Sequence, residues 1–398
     1  MTHMKRQLLV AGLFCMGFAN VVWAQVTLTN GQHVLEISGG VSTYYNHRVL
    51  KPDANNQSRN KDRFRLRDAQ LQLEGRIKNL YEYELQVDFV DLASFANGVI
   101  DPENPGLMDA YIRYKGIRFF DIQFGYGKLF YGRSSLVPFT FTPYWQRAQI
   151  ARGDLFSRRD VGVTLMKGLW RQRINLYGGV YTGLGELSLA GDNDPSGQPE
   201  FVGRVDFAYP SRFRYRDIDT RHTPIPMFAL GFNGRYANKV LPEGRSFPAF
   251  AAGEYGLKVI NGERYVYGMD AAFQYKGFSG QFEIHQMLAR PVNPNDALFL
   301  GLPASQTGGY FLAGGHYSQL NYFSKKIKTI FSVRYETLNL NDLAEGESKR
   351  LSFALAYQIK GFDSMIKFQY FNILTEEVVI DPLRWTEQFR IGWQVNFM

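Results

Sequence analysis

The stretch that decides the fold is Thr386-Glu387-Gln388-Phe389-Arg390-Ile391-Gly392-Trp393-Gln394-Val395-Asn396-Phe397-Met398. Phe389, Ile391, Trp393, Val395 and Phe397 fall on one parity, and Arg390, Gly392, Gln394 and Asn396 on the other. A period of two gives a strand with one oily and one wet face. Closing a chain on such a strand, with an aromatic residue in the penultimate position, is expected of a barrel whose last strand pairs with its first and leaves no edge. A soluble β-sandwich with an edge strand here is the competing expectation, and the rest of the chain weighs against it.

Working back from that strand, a repeating unit emerges of strand, long polar connection, strand and short turn. The second candidate strand, 64–78, sets Ala69, Leu71, Leu73, Gly75 and Ile77 against Asp68, Gln70, Gln72, Glu74 and Arg76. The third sets Tyr81, Tyr83, Leu85, Val87 and Phe89 against Glu82, Glu84, Gln86 and Asp88. Sixteen such strands are expected, the first over Val34 to Tyr45 and the last over 386–397. Long connections (46–63, 92–106, 128–159, 183–199, 238–263, 289–308, 339–349 and 374–385) alternate with short ones, and 210–226 is the exception. An even strand number with long loops on one rim and tight turns on the other predicts an all-β, 16-stranded antiparallel transmembrane β-barrel.

At the amino end, Lys5 and Arg6 precede the apolar stretch Leu8 to Phe18 and then Val22-Trp23-Ala24. That order is expected of a secretory signal over 1–24, with the barrel over 25–398 and no plug domain ahead of the first strand. No run approaches the roughly 20 apolar residues of a membrane-spanning helix. The single cysteine, Cys15, lies inside the expected signal, so neither a disulfide nor a thiolate metal site is expected after cleavage.

Hydrophobic residues make up 45% and aromatic residues 15% of the 398, yet mean hydropathy is −0.26. Lipid outside and water inside reconcile the two, because half of each strand is oily and half is polar. The formal charge is +8, which points to anionic solutes, anionic lipid or nucleic acid without choosing among them.

The third long connection, 128–159, is the candidate functional segment. It carries Lys128, Arg133, Arg147, Arg152, Arg158 and Arg159 against Asp154. It is also oily for a loop, with Phe130, Leu136, Val137, Phe139, Phe141, Tyr144, Trp145, Ile150 and Phe156, so it is expected to pack against something. Folded inward, it would line the narrowest part of the lumen with guanidinium groups that exchange charge-assisted hydrogen bonds for the hydration of an anion. The alternative is that these cations lie at the surface or pair with wall carboxylates such as Glu82, Glu84, Asp88, Asp109 and Asp121.

Four stretches, Phe64-Arg65-Leu66-Arg67-Asp68 running on to Arg76, Asp109 to Tyr114, Phe124-Gly125-Tyr126-Gly127-Lys128 running to Phe139, and Gly203-Arg204-Val205-Asp206-Phe207, resemble the phosphate-selective porin O and P family in order and spacing. The resemblance implies a trimeric outer-membrane barrel of sixteen strands, an inward third loop and basic residues guiding anions. It adds Arg204 to the six loop cations as a candidate lumen residue. The inward faces here mix arginine with many acids, so the expectation is a passive porin for small hydrophilic solutes with a preference for anions such as phosphate, and a general or oligosaccharide-tolerant channel is the alternative within the family.

Other signals are weaker. Ser279, Glu283 and His285 share one strand parity without forming a triad, and no enzymatic activity is expected. The remaining histidines lack metal-ligand spacing, Asp192-Asn193-Asp194 lacks the terminal glutamate of a calcium loop, and no cofactor is expected. The basic stretch 210–226, with Arg212, Arg214, Arg216 and Arg221, is expected to be a solvated loop. The expected partners are outer-membrane lipid and lipopolysaccharide, small anionic or polar solutes and two further copies of the chain, with no nucleic acid. A non-conducting surface-binding or adhesive barrel is the other reading.

Overall fold

The computed structural model describes residues 26–50, 62–90, 106–153, 155–189, 194–246, 259–295, 304–343, 347–374 and 385–397. The expected signal over 1–24 and most of Asp192-Asn193-Asp194 lie outside these residues. The strands are β1 (Val26–Asn30), β2 (His33–Leu50), β3 (Asp62–Ile77), β4 (Tyr81–Asp88), β5 (Leu107–Tyr114), β6 (Asp121–Lys128), β7 (Arg159–Leu169), β8 (Ile174–Tyr181) and β9 (Glu200–Tyr209). They continue with β10 (Met227–Lys239), β11 (Gly262–Tyr275), β12 (Phe278–Pro291), β13 (Phe311–Ser324), β14 (Thr329–Asn339), β15 (Ser348–Lys360), β16 (Ser364–Ile373) and β17 (Trp385–Phe397).

From β2 to β17 each strand pairs antiparallel with its sequence neighbour. The ring closes where β17 pairs β2, from Phe397 opposite Gly39 to Trp385 opposite Leu50. This is the sixteen-stranded closed barrel that the alternation predicts, and closure removes the sandwich from consideration. In a membrane, closure also pairs the backbone groups that an open edge would expose to hydrocarbon.

The amino-terminal expectation needs correction. The sheet starts before Val34, because β1 forms a hairpin with β2, Val26 opposite Ile37 through Asn30 opposite His33. Both β1 and β17 run antiparallel to β2 on the same edge, so β1 continues the line that β17 leaves at Gly39. Asn30-Gly31 was the signal for it: a tight hairpin turn needs a residue with positive φ, and Gly31 sits at +59°.

Burial is inverted relative to a water-soluble protein. On β10, Phe228, Leu230 and Phe232 are exposed while Asn233, Arg235 and Lys239 are buried. On β17, Ile391 is exposed while Gln388, Arg390, Gln394 and Asn396 are buried. The apolar parity therefore faces outward on the wall and the polar parity faces into the ring, as an outer-membrane strand requires.

The compact apolar core sits where the connection 129–158 meets the wall. Leu129, Tyr131, Ile150, Leu155 and Phe156 cluster with Met287, Phe311, Leu338 and Leu340. At about 1.5–3 kcal/mol for each fully buried large apolar side chain, this contact outweighs any single ion pair as the anchor of that segment.

Candidate functional site

The segment between β6 and β7 folds as one helical turn, α1 (Arg133–Leu136), and two 3-10 turns, Phe139–Phe141 and Gln149–Ala151. Its base is closed by Leu129 N–H donating to Arg158 O at 2.9 Å. Backbone N–H groups then meet acceptors on the buried wall face. Gly132 donates to Asn233 Oδ1 at 2.9 Å, Ser134 to Glu283 Oε2 at 2.7 Å, Trp145 to Gln369 Oε1 at 2.7 Å and Gln149 to Glu336 Oε2 at 2.9 Å. The far side is held by Gln394 Nε2 donating to Thr140 O at 3.2 Å. A loop without regular ladders must find such partners for its buried amides. Gly132 is required for the first of them: its φ is +66°, and a Cβ there would lie 2.6 Å from Glu283 Oε1.

The structure divides the seven sequence-predicted site residues. Lys128, Arg147, Arg158 and Arg159 line one cavity of about 720 Å³. Arg133 lines a second, of about 420 Å³, and Arg152 and Arg204 line neither.

Most of these cations also have structural partners. Arg159 Nη2 is 3.0 Å from Asp109 Oδ2, and Lys128 Nζ lies 3.8 Å from the same oxygen. Arg147 donates to Ser134 O and, at 2.9 Å, to Val137 O. Arg152 donates to Arg147 O at 3.2 Å and Gln146 Oε1 at 3.0 Å. Arg133 stacks over Phe213 at 4.7 Å and donates to Arg214 O at 3.0 Å. Arg204 is paired with Asp270 at 2.6 Å and Asp206 at 2.7 Å. Of the wall carboxylates named from sequence, Asp109 is the one joined to these cations.

Beside them stands a buried triad, with Arg235 Nη2 2.7 Å and Arg264 Nη2 2.5 Å from the two oxygens of Glu200. Arg235 also donates to Ser157 O at 2.6 Å, tying the triad to the end of the segment. The His285 ring lies 2.6 Å from Glu283 Oε1, while Ser279 meets Asn321, so this strand parity serves as anchorage for Ser134.

Three lining residues escaped sequence reasoning: Arg67, Arg214 and Arg216 all face the larger cavity. Arg67 donates to Trp145 O at 2.8 Å and stacks over Phe139 at 3.7 Å. Arg214 and Arg216 belong to 210–226, which is not the solvated loop expected. Phe213, Asp217, Ile218 and Asp219 are buried. Asp217 accepts from Gln281 Nε2 at 2.5 Å, and Asp219 accepts from Thr223 and Gly277 N–H groups at 2.8 and 2.9 Å. Burial holds the Asp217 carboxyl above the usual carboxylate range, with those amide hydrogen bonds opposing. The signal available was that 210–226 is the one long connection on the short-turn rim, with Phe213 and Tyr215 interleaved among its arginines.

Across the larger cavity, Glu36, Asp68 and Glu74 stand with seven basic residues: Arg67, Lys128, Arg147, Arg158, Arg159, Arg214 and Arg216. The balance is positive, with the acids confined to β2 and β3.

Residues 43–197 match the family of phosphate-selective porins O and P. By fold the chain is a closed β-barrel of the porin type. No curated protein matches it. Among solved structures, it is similar to Salmonella typhi OmpF in complex with daunomycin, at 11% identity and TM-score 0.55, covering 94% of this chain and 100% of that one. The outer-membrane channel DcaP of Acinetobacter baumannii is similar at 11% identity and TM-score 0.54, again over 94% and 100%. The trimer form of OmpT, an outer-membrane protein of Vibrio cholerae, is similar at 8% identity and TM-score 0.53, over 92% and 99%. At such identities the likeness is one of fold, and the porin-type barrel must be read for function from its own residues.

Proposed function

We propose that this chain is a passive outer-membrane porin, made as a precursor with a signal over 1–24, in which the segment 128–159 is an inward-folded constriction loop. Small hydrophilic solutes cross down their gradient through a water-filled lumen, with no chemical step and no cofactor. The observation that carries the reading is the row of hydrogen bonds from this loop's backbone to the polar wall side chains Asn233, Glu283, Glu336 and Gln369. Those side chains belong to four strands, so the loop is supported across the ring and narrows the path between them.

Anion preference follows from the lining of the larger cavity, seven basic residues against three acidic ones. Lys128, Arg147, Arg158 and Arg159 are the constriction cations of this reading, with Arg133 behind them; Arg152 and Arg204 brace the wall and loop. Because Asp109 partly neutralises Lys128 and Arg159, the preference is graded rather than exclusive, and phosphate is one anion among those admitted. The protein functions as a homotrimer embedded in outer-membrane lipid and lipopolysaccharide.

The test is the reversal potential of the refolded chain in a planar bilayer under a potassium chloride gradient, repeated with added phosphate. Chloride-favouring potentials and a phosphate-dependent reduction of current are expected. A cation-favouring potential would overturn the anion preference, and the absence of any conductance step would overturn the channel.

A further inference from the structure

The smaller cavity adjoins the larger one, since Pro138, Phe141, Arg214 and Arg216 face both, but its other walls differ. It lies against the inner face of β8 to β10, under the segment 210–216 and the end of α1. Its acids are already engaged, since Asp206 and Asp270 are both bonded to Arg204. Its mouth carries Arg212 and Arg214, exposed guanidinium groups with no carboxylate partner among the described residues. At its side Arg133 is 2% exposed, and its Nε is a buried donor for which the described residues supply no acceptor. Arg216, Asn175, Tyr177 and Tyr215 add polar groups to the lining, and Leu136, Pro138, Phe141, Ala208 and Ala229 form an apolar, partly flat wall within it.

We propose that this cavity is a binding site for organic anions with a flat apolar body, the class of aromatic carboxylates. The inference rests on the porin reading and deepens it by naming a preferred solute class at a site that borders the constriction. An inorganic phosphate would answer the guanidinium groups and leave the apolar wall in water. A neutral arene would cover that wall and leave a buried N–H without an acceptor, a cost of about 1–3 kcal/mol. A carboxylate joined to a ring does both, accepting charge-assisted hydrogen bonds at one end and displacing water from Phe141 and Pro138 at the other. The cavity's 420 Å³ is within the range of small-molecule sites.

The experiment is isothermal titration of the full chain, refolded in detergent, with benzoate, acetate, inorganic phosphate and benzyl alcohol. Benzoate is expected to bind about tenfold more tightly than acetate or phosphate, and benzyl alcohol more weakly than benzoate by a similar factor. The double variant Arg212→Gln, Arg214→Gln, shown to be folded by heat-modifiable gel migration, is expected to bind benzoate about tenfold more weakly. Equal affinities for acetate, phosphate and benzoate overturn the proposal, as does a folded double variant that binds benzoate like the parent. Conductance on the same preparation separates the two readings: a conducting barrel that ignores benzoate loses this site alone, and a silent barrel that binds it loses the channel alone.

Discussion

Two arginine-rich segments meet at Arg133 and Arg214, and they use the same side chain in opposite ways. In 128–159 the guanidinium groups are mostly buried and bonded to carbonyls and carboxylates, as with Arg147 on Val137 O and Arg159 on Asp109. In 210–226 the buried groups are Phe213, Asp217, Ile218 and Asp219, while Arg212 and Arg214 remain exposed. The first segment is built from its arginines; the second is built from other residues and presents its arginines. Charge density in a sequence therefore does not say how each cation meets a solute: a guanidinium held by acceptors adds to the field of the cavity it lines, and an exposed one can also bond the solute directly.

The contrast breaks first at the joint between the first segment and the wall. Arg235→Ala, which leaves Glu200 with Arg264 alone and removes the donor to Ser157 O, is expected to cost about 3–5 kcal/mol. The check is the guanidinium unfolding midpoint, with the ion selectivity of surviving channels unchanged. Glu283→Gln is expected to cost about 1–3 kcal/mol, because the Ser134 N–H and Tyr317 O–H, which both donate to Oε2, exchange a charged acceptor for a neutral one. Noisier single-channel currents from a loosened loop are the accompanying readout.

The second segment should respond to pH instead. The folded fold favours neutral Asp217, so its contribution to stability is present below its unfolded pKa and is lost as pH rises through the raised folded value. Relative to Asp217→Asn, the parent should gain about 1.4 kcal/mol on acidification for each unit by which the folded value exceeds the unfolded one. Denaturant midpoints of the two proteins at neutral and acidic pH measure this. The smallest effect on stability is expected from Arg214→Gln, within about 0.5 kcal/mol. Its reversal potential should nonetheless move toward cation selectivity by less than about a twofold change in permeability ratio, since exposed charges are screened by salt.

The wall was largely legible in the sequence because a period of two is a local property. Phe389, Ile391 and Trp393 alternate with Gln388, Arg390 and Gln394, and each strand announces its own faces. The oiliness of Leu129 to Phe156 likewise announced a packed loop. What the sequence withheld were partnerships between distant residues. Asp217 meets Gln281 and Gln319, 64 and 102 positions away, and no local pattern in 210–226 encodes those amides. Arg204 resembled a lumen cation until Asp270, 66 positions on, was seen to enclose it. Strand β1 was missed because five residues are too few for alternation to stand out from chance.

That short strand has a consequence for assembly. The hairpin of β1 and β2 joins neighbours in the chain and can form early, whereas the seam between β2 and β17 joins residues about 350 positions apart and carries the greater loop-closure cost. By covering His33 to Ile37 beforehand, β1 leaves the incoming final strand only the stretch from Gly39 onward on which to zip. It acts as a stop that fixes where the cylinder is sealed, and deleting it would free the closing strand to slide out of register.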